Sequence, residues 1–165
     1  RIFINPGGAR TGGGPAVHSG LTGRKTGIDT YGGYARHSGA ALSGKDPMRI
    51  DRVGAYIARY AAKNVVASGI ARECEVQLSY TVGVARPVSL RVRTFGTAEM
   101  DDTAIASRLE QVIDFRLGGI VRDLNLKRLS EVSKGGYRDL AVYGHMGRTE
   151  LDMPWEMTDK ADALK

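Results

Sequence analysis

Cysteine and long apolar runs are scarce in this sequence, and each shortage excludes a class of protein. The 165 residues include one cysteine, Cys74, which excludes an internal disulfide framework and a cysteine-rich zinc site. We interpret Cys74 as a small apolar residue beside a strand. No apolar run approaches the roughly eighteen residues that span a bilayer, and no signal peptide is visible. We therefore expect a cytoplasmic protein without membrane partners.

Basic residues outnumber acidic ones. The chain has 24 Lys and Arg against 18 Asp and Glu, a net charge of +6, with 42% hydrophobic and 25% charged residues. These proportions are typical of a soluble globular domain with a real core. The positive charge favours polyanionic partners such as nucleic acid, a membrane surface or phosphorylated small molecules, although solubility alone would also explain it.

Glycine is abundant in residues 1–46, where NPGG, TGGGP, SGLTG and YGGYARHSG follow one another. Such a stretch is either a flexible low-complexity segment or a set of ligand loops in which the backbone approaches a ligand closely. The glycines are interleaved with charged and aromatic side chains, which favours functional loops. We therefore divide the chain into Gly-rich ligand loops (1–46) and an α+β body (47–165).

The body has a long helical pattern, then two strand patterns, then further helical patterns. Asp46 as N-cap and Pro47 at the first position predict a helix to about Ala67, ended by Gly69. The later elements are strands at 75–84 and 89–95, a helix from Asp101 or Asp102 to about Phe115, and short helices within 119–126 and 158–165. Because these patterns lack regular βαβ alternation, we predict a two-layer α+β sandwich, with a mixed or antiparallel sheet and helices on one face.

The stretch SGAALSGKD (38–46) has the glycine and lysine spacing of a Walker A loop. A buried strand should precede such a loop, and Ser or Thr should follow its lysine. Here no strand pattern precedes it and Asp46 follows Lys45, so we reject that motif. Lys45 before a helix and Arg24-Lys25 on another glycine loop could still clamp a polyphosphate from two sides. The alternative is that all three are solvated loop charges.

Several segments together resemble one known family, the methionine adenosyltransferases (S-adenosylmethionine synthetases), in its C-terminal portion. They are GLTGRK, SGKDPMRID, QLSYTVGVARPVSLRVRTFGT, IVRDLNLK and AVYGHMGRTELDMPWEMTDKADALK, and they extend over nearly the whole chain. The resemblance implies an enzyme that joins ATP to methionine. The sulfur attacks the ribose C5′, and the leaving triphosphate is hydrolysed to phosphate and diphosphate. It also implies Mg²⁺ and K⁺, and an active site between subunits of a homo- or hetero-oligomer.

The resemblance also assigns roles to individual residues. Arg24, Lys25 and Lys45 would contact the polyphosphate, with Arg24 and Lys45 stabilising the leaving triphosphate. Ala41, Val82 and Arg10 would lie at the nucleotide. Arg49, His18 and Asp51 would lie near the methionine. The metal ligands and the family's catalytic histidine would belong to an N-terminal half that is absent here. We therefore expect no metal ligand in this chain and no turnover by the chain alone.

Some positions depart from the family pattern. Ala9-Arg10 replaces an Arg-Phe pair whose Phe would stack on adenine, and His18 replaces an Asp. These changes keep open a non-catalytic regulatory or scaffold relative, although a scaffold need not keep a triphosphate clamp. A basic nucleic-acid-binding module is more remote, because no aromatic residues interleave a basic stripe. We interpret His37 and His145 as hydrogen-bonded structural residues.

Overall fold

One long helix forms the centre of the computed structural model, which describes residues 2–9, 11–14, 16–17, 27–37 and 41–165. This helix, α1, extends over Ile50–Ala67. Its buried apolar side chains recur at three- and four-residue steps, as predicted: Val53, Tyr56, Ile57, Tyr60, Ala61 and Val65. Gly69 follows the helix at a φ of +82°, a conformation that glycine adopts without a steric penalty.

The start of α1 differs from the prediction. The helix begins at Ile50, with Arg49 rather than Asp46 at the N-cap position and no side-chain cap. Asp46 is used one turn earlier, where its Oδ1 accepts a hydrogen bond from the Met48 N–H at 2.8 Å and its carbonyl accepts one from Arg49 at 2.9 Å. The Asp-Pro signature therefore marks a turn that leads into the helix.

An antiparallel hairpin follows, formed by β1 (Glu75–Ser79) and β2 (Ser89–Arg93). Both strands are shorter than predicted. After Ser79 the chain turns, and Gly83 adopts a φ of +85°. After Arg93, the Thr94 N–H donates to Asp102 Oδ1 at 3.1 Å, which supplies a bonding partner outside the sheet.

The second long helix, α2 (Asp102–Val112), begins as predicted. The Asp101 side chain accepts a hydrogen bond from the Thr103 N–H at 2.7 Å, which is a standard N-cap contact. The helix ends before the predicted Phe115 because Ile113 is extended. The remaining described elements are α3 (Leu117–Asp123), α4 (Leu129–Val132), α5 (Tyr137–Leu140), α6 (Ala161–Leu164) and 3-10 helices at Gly27–Asp29, Leu126–Arg128, Thr149–Leu151 and Pro154–Glu156.

Helices cover one face of the hairpin, with α1 against β1 and α2 against β2. The strand side chains that pack inward are paired across the hairpin: Val76 with Val92, and Leu78 with Leu90. Arg91 and Arg93 are exposed on the opposite face, so the predicted basic outer face is confirmed. The fold is the predicted α+β type, with an antiparallel pair under a helical layer. None of the described helices is long and apolar enough to cross a membrane.

Candidate functional site

The predicted phosphate-binding stretch 38–46 is described from residue 41 onward. We call residues 41–46, which precede α1 by one short turn, the Lys45 loop. Its first residues are packed into the core: Ala41 and Leu42 are each 1% exposed and Ser43 is 3% exposed. Gly44 then adopts a φ of +82°, which favours glycine at the point where the chain turns outward. The loop therefore has a buried inner half and an accessible outer half that ends at Lys45.

Asp29, at the end of a 3-10 helix, binds the inner half of the loop. Its Oδ2 accepts hydrogen bonds from the backbone N–H groups of Leu42 and Ser43, both at 2.9 Å. Its Oδ1 accepts one from the Ser43 hydroxyl at 3.0 Å. Burial alone would raise the pKa of Asp29, but the hydrogen bonds from Ser43 and Leu42 outweigh it and lower that pKa. Asp29 is therefore an anion at neutral pH.

A chain of buried hydrogen bonds continues from this carboxylate. Ser43 Oγ lies 2.8 Å from His145 Nε2, His145 Nδ1 lies 2.8 Å from the Tyr56 hydroxyl, and Arg52 Nε donates to that hydroxyl at 2.9 Å. Because the Ser43 hydroxyl donates its proton to Asp29, Ser43 Oγ accepts the hydrogen bond from His145 Nε2–H. Nδ1 and the Tyr56 hydroxyl share the other ring contact. His145 is a hydrogen-bonded structural residue, as predicted. We call Arg52, Tyr56, His145, Ser43 and Asp29 the buried relay.

The far end of the buried relay returns to the same loop. Arg52 Nη1 donates to the Lys45 carbonyl oxygen at 2.6 Å, and the Arg52 guanidinium lies 4.4 Å from the centroid of the Tyr137 ring. Asp29 thus binds the amides of the inner half, while Arg52 binds the carbonyl of the outer half. The backbone of the loop is fixed on both sides.

The Lys45 side chain extends along the first turn of α1, where two other predicted site residues lie. Lys45 Nζ is 3.7 Å from Asp51 Oδ2, and the two side chains are 21% and 44% exposed. Arg49 is exposed at the N-cap position. The positive end of the helix dipole and the uncapped amides add to the cationic character of this surface. The structure thus brings Lys45 and Asp51 together, with Arg49 two residues before Asp51 at the N-cap position and Ala41 buried in the same loop as Lys45.

Val82, predicted at the nucleotide, lies in the loop between β1 and β2. It is 61% exposed, and a Cβ built on Gly7 would lie 3.2 Å from its Cγ1. The same loop is close to α1, since a Cβ on Gly54 would lie 3.8 Å from the Tyr80 ring. The NPGG turn, the Val82 loop and the N-terminal half of α1 are therefore neighbours.

The other predicted site residues, Arg10, His18, Arg24 and Lys25, lie outside the described residues. Within the described residues, no group of three or more His, Cys, Asp or Glu side chains could hold a metal ion.

Ser43, His145 and Asp29 are the residue types of a hydrolase triad, but their arrangement does not support nucleophilic catalysis. Ser43 donates its hydroxyl proton directly to Asp29, whereas a nucleophilic serine donates to the histidine. Ser43 and His145 are 3% and 0% exposed, so no substrate could reach them. Their role is to hold the loop.

Sequence reasoning missed four members of the buried relay: Asp29, Ser43, Arg52 and Tyr56 in this role. One signal was available. Arg52 lies four residues before Tyr56, so both side chains share one face of α1, and that face is the apolar stripe. A charged residue at a buried position of a stripe indicates a buried partner.

The fold and the site define a class first: a two-layer α+β domain with a lysine-bearing glycine loop before its long helix. The model of the family domain described as "S-adenosylmethionine synthetase, C-terminal domain" matches residues 12–157. The chain belongs to this family.

Individual relatives support the same family assignment. The chain is 54% identical to the S-adenosylmethionine synthase of Trichormus variabilis and 53% identical to that of Crocosphaera subtropica, in each case over 100% of this chain and 40% of the relative. Among solved structures, an unusual S-adenosylmethionine synthetase from Campylobacter jejuni superposes with a TM-score of 0.80 at 39% identity, over 88% of this chain and 37% of that chain. The chain thus spans about 40% of the length of the curated relatives that it matches.

Proposed function

We propose that the chain is the ATP- and methionine-binding C-terminal part of an S-adenosylmethionine synthetase. The reaction would convert ATP, L-methionine and water to S-adenosylmethionine, phosphate and diphosphate. Support comes from membership of the family and from the Lys45 loop, whose lysine is presented on a fixed backbone beside the N-terminus of α1. That loop is the observation on which the proposal depends.

The chemistry requires alignment and charge stabilisation more than a protein nucleophile. A thioether sulfur attacks carbon without deprotonation, so the protein must orient sulfur, carbon and leaving oxygen and must stabilise the negative charge on the leaving triphosphate. Lys45 would supply one cation, with Arg24 and Lys25 on the second glycine loop. Ala41, Val82 and Arg10 would lie at the nucleotide, and Arg49, His18 and Asp51 near the methionine.

Mg²⁺ and K⁺ are expected for the whole enzyme, but the described residues offer no suitable cluster of ligands. No step of the proposal passes through a metal ion bound by this chain. We propose that the metal ligands, and the residues needed for turnover, come from sequence outside the 40% of the relatives that this chain matches. The isolated chain would then be inactive.

We further propose that the chain works in the cytoplasm, within a homo- or hetero-oligomer whose active site lies between subunits. The exposed outer face of the hairpin, with Arg91 and Arg93, is a surface for such an assembly. Light scattering tests this: an assembly larger than one chain is expected, and a stable monomer in the active preparation would contradict it.

The principal test compares wild type with Lys45→Ala. Calorimetry measures the binding of inorganic tripolyphosphate and of a non-hydrolysable ATP analogue, and formation of S-adenosylmethionine is assayed with and without a co-expressed N-terminal portion of a relative. We expect Lys45→Ala to weaken binding about 10- to 100-fold, as for the loss of a charge-assisted contact. Activity is expected only when the N-terminal portion is present.

A regulatory or scaffold subunit is the second candidate, because Arg10 and His18 depart from the family pattern at substrate positions. That function predicts no S-adenosylmethionine formation in any assembly, and tripolyphosphate binding that Lys45→Ala leaves unchanged.

A further inference from the structure

We propose that the buried relay positions the Lys45 loop for its anionic ligand, so that His145 and Tyr56 control binding without touching the ligand. This inference rests on the proposed function, because it assigns positioning residues to the same loop.

The buried relay is attached to the Lys45 loop at both ends. Its two ends are an anion and a cation, and both bind loop backbone: Asp29 accepts from the amides of residues 42 and 43, and Arg52 donates to the carbonyl of Lys45. Charged ends make these hydrogen bonds stronger than neutral ones. The loop cannot slide along α1 without losing contacts at both ends.

The buried relay specifies a position for the loop in addition to stabilising the fold. Apolar packing could bury this region at lower desolvation cost, since buried polar groups are unfavourable unless every one has a partner. Here a continuous series of hydrogen bonds runs from Arg52 through Tyr56 and His145 to Ser43 and Asp29, and each of these side chains has a partner. A fully satisfied buried network of this kind favours a single position for the loop.

His145 connects the Lys45 loop to a distant part of the chain. Its N–H donates to the Asp29 carbonyl at 2.9 Å, and its carbonyl accepts from Trp155 Nε1 at 2.9 Å. The ring and both backbone groups are therefore bonded. The position of the Lys45 backbone is set by a segment about one hundred residues later.

The fixed loop backbone also determines the position of the Lys45 ammonium group. A fixed backbone places Lys45 Nζ beside Asp51, where a polyphosphate would replace the carboxylate as its partner. Displacement of a binding group by about one ångström can reduce catalysis by up to about a hundredfold. Loss of one hydroxyl from the relay should therefore weaken binding at a site that the hydroxyl does not reach.

Tyr56→Phe and Tyr60→Phe form a matched pair that tests this. Both tyrosines are buried on α1, and each hydroxyl has a side-chain partner. Tyr60 donates to Asp159 at 2.6 Å, away from the Lys45 loop. The variants are made in the full chain, assembled with the N-terminal portion for activity. The readouts are tripolyphosphate affinity by calorimetry, KM for ATP, kcat and thermal midpoint.

We expect Tyr56→Phe to weaken tripolyphosphate binding about tenfold and to raise KM for ATP. Both tyrosine variants should lower the thermal midpoint by similar amounts, but Tyr60→Phe should leave the tripolyphosphate affinity unchanged. Ser43→Ala should follow Tyr56→Phe. Wild-type tripolyphosphate affinity in Tyr56→Phe, or an equal loss of affinity in both tyrosine variants, would overturn the inference. Neither result would contradict the proposed role of Lys45. Wild-type affinity in Lys45→Ala would overturn the proposed function itself, and the inference with it.

Discussion

Tyr56 and Trp155 stack face to face, with ring centroids 3.7 Å apart and ring planes 3° apart. The tyrosine belongs to α1 and the tryptophan to the 3-10 helix Pro154–Glu156. Tyr56 also belongs to the buried relay, and Trp155 binds the carbonyl of His145. This stack therefore fastens the C-terminal segment to the element that holds the Lys45 loop.

Trp155→Ala should lower the free energy of unfolding by about 3–5 kcal/mol, since it removes a large, fully buried ring. Trp155→Phe should cost about 1–2 kcal/mol, because stacking persists while the His145 carbonyl loses its donor. Urea unfolding followed by circular dichroism measures both. Met157→Ala, at a half-exposed neighbouring position, is the control and should change little. A loss under about 1 kcal/mol in Trp155→Ala would contradict the packing described.

Glu156 should give stability that depends on pH. Its carboxylate accepts from Arg59 Nη2 and Lys63 Nζ, both at 2.9 Å, and from the Gly147 N–H at 2.7 Å. Burial would raise its pKa, but these contacts outweigh burial and lower the pKa below its usual value of 4.5. A depressed pKa stabilises the fold above the unfolded-state value, and this stabilisation is lost as the pH falls towards the folded-state value.

Glu156→Gln should therefore be destabilised by about 2 kcal/mol at pH 7, a discounted value because both cations can reach water. The difference from wild type should shrink below about pH 4.5. Denaturant unfolding between pH 3 and pH 7 measures this. Glu150→Gln, at an exposed pair with Arg148, should show little effect at any pH. A difference that stays constant with pH would show that charge is not the cause.

Asp51→Asn should strengthen the binding of inorganic tripolyphosphate about threefold at low salt, because an exposed ion pair with Lys45 is worth up to about 1 kcal/mol. The gain should decline as salt screens the charges. If Asp51 also contacts methionine as proposed, turnover should fall in the same variant. Calorimetry at two salt concentrations measures the affinity. Asp46→Asn is the control for general charge, and an equal gain there would argue against a specific pair.

Gly83→Ala and Gly69→Ala should separate close packing from backbone strain. The two glycines have nearly equal φ values, +85° and +82°, so both variants incur the left-handed penalty of about 1 kcal/mol. A Cβ on Gly83 would also lie 2.5 Å from Gly7 Cα, whereas one on Gly69 meets nothing within 4 Å. We expect only Gly83→Ala to increase amide exchange in residues 2–9. Equal protection in both variants would contradict the contact between the two turns.

The elements that were predictable are those with local signals. The stripe on α1 follows from apolar residues at helical spacing, and the Asp101 cap and the outward Arg91 and Arg93 follow from equally local patterns. The start of α1 was mistaken because Asp46-Pro47 satisfies an Asx turn as well as an N-cap.

The buried relay could not be derived in the same way. Each member is an ordinary residue type, and the contact between Ser43 and His145 joins positions 102 residues apart. Neither periodicity nor motif spacing contains information on such a pairing. The Lys45 loop could be located from its glycines and lysine, whereas the groups that hold it came only from the tertiary structure.

The long reach of His145 has a consequence for how the chain is made. Ribosomes synthesise a polypeptide from its N-terminus, at about 5–20 residues per second. Ser43 must therefore wait several seconds before its imidazole partner emerges, and Trp155 follows later still. Until then the Ser43 hydroxyl and the Asp29 carbonyl lack the groups of His145 to which they bond in the folded chain. A chain truncated before His145 would therefore lack these contacts, even though every residue of the Lys45 loop is present.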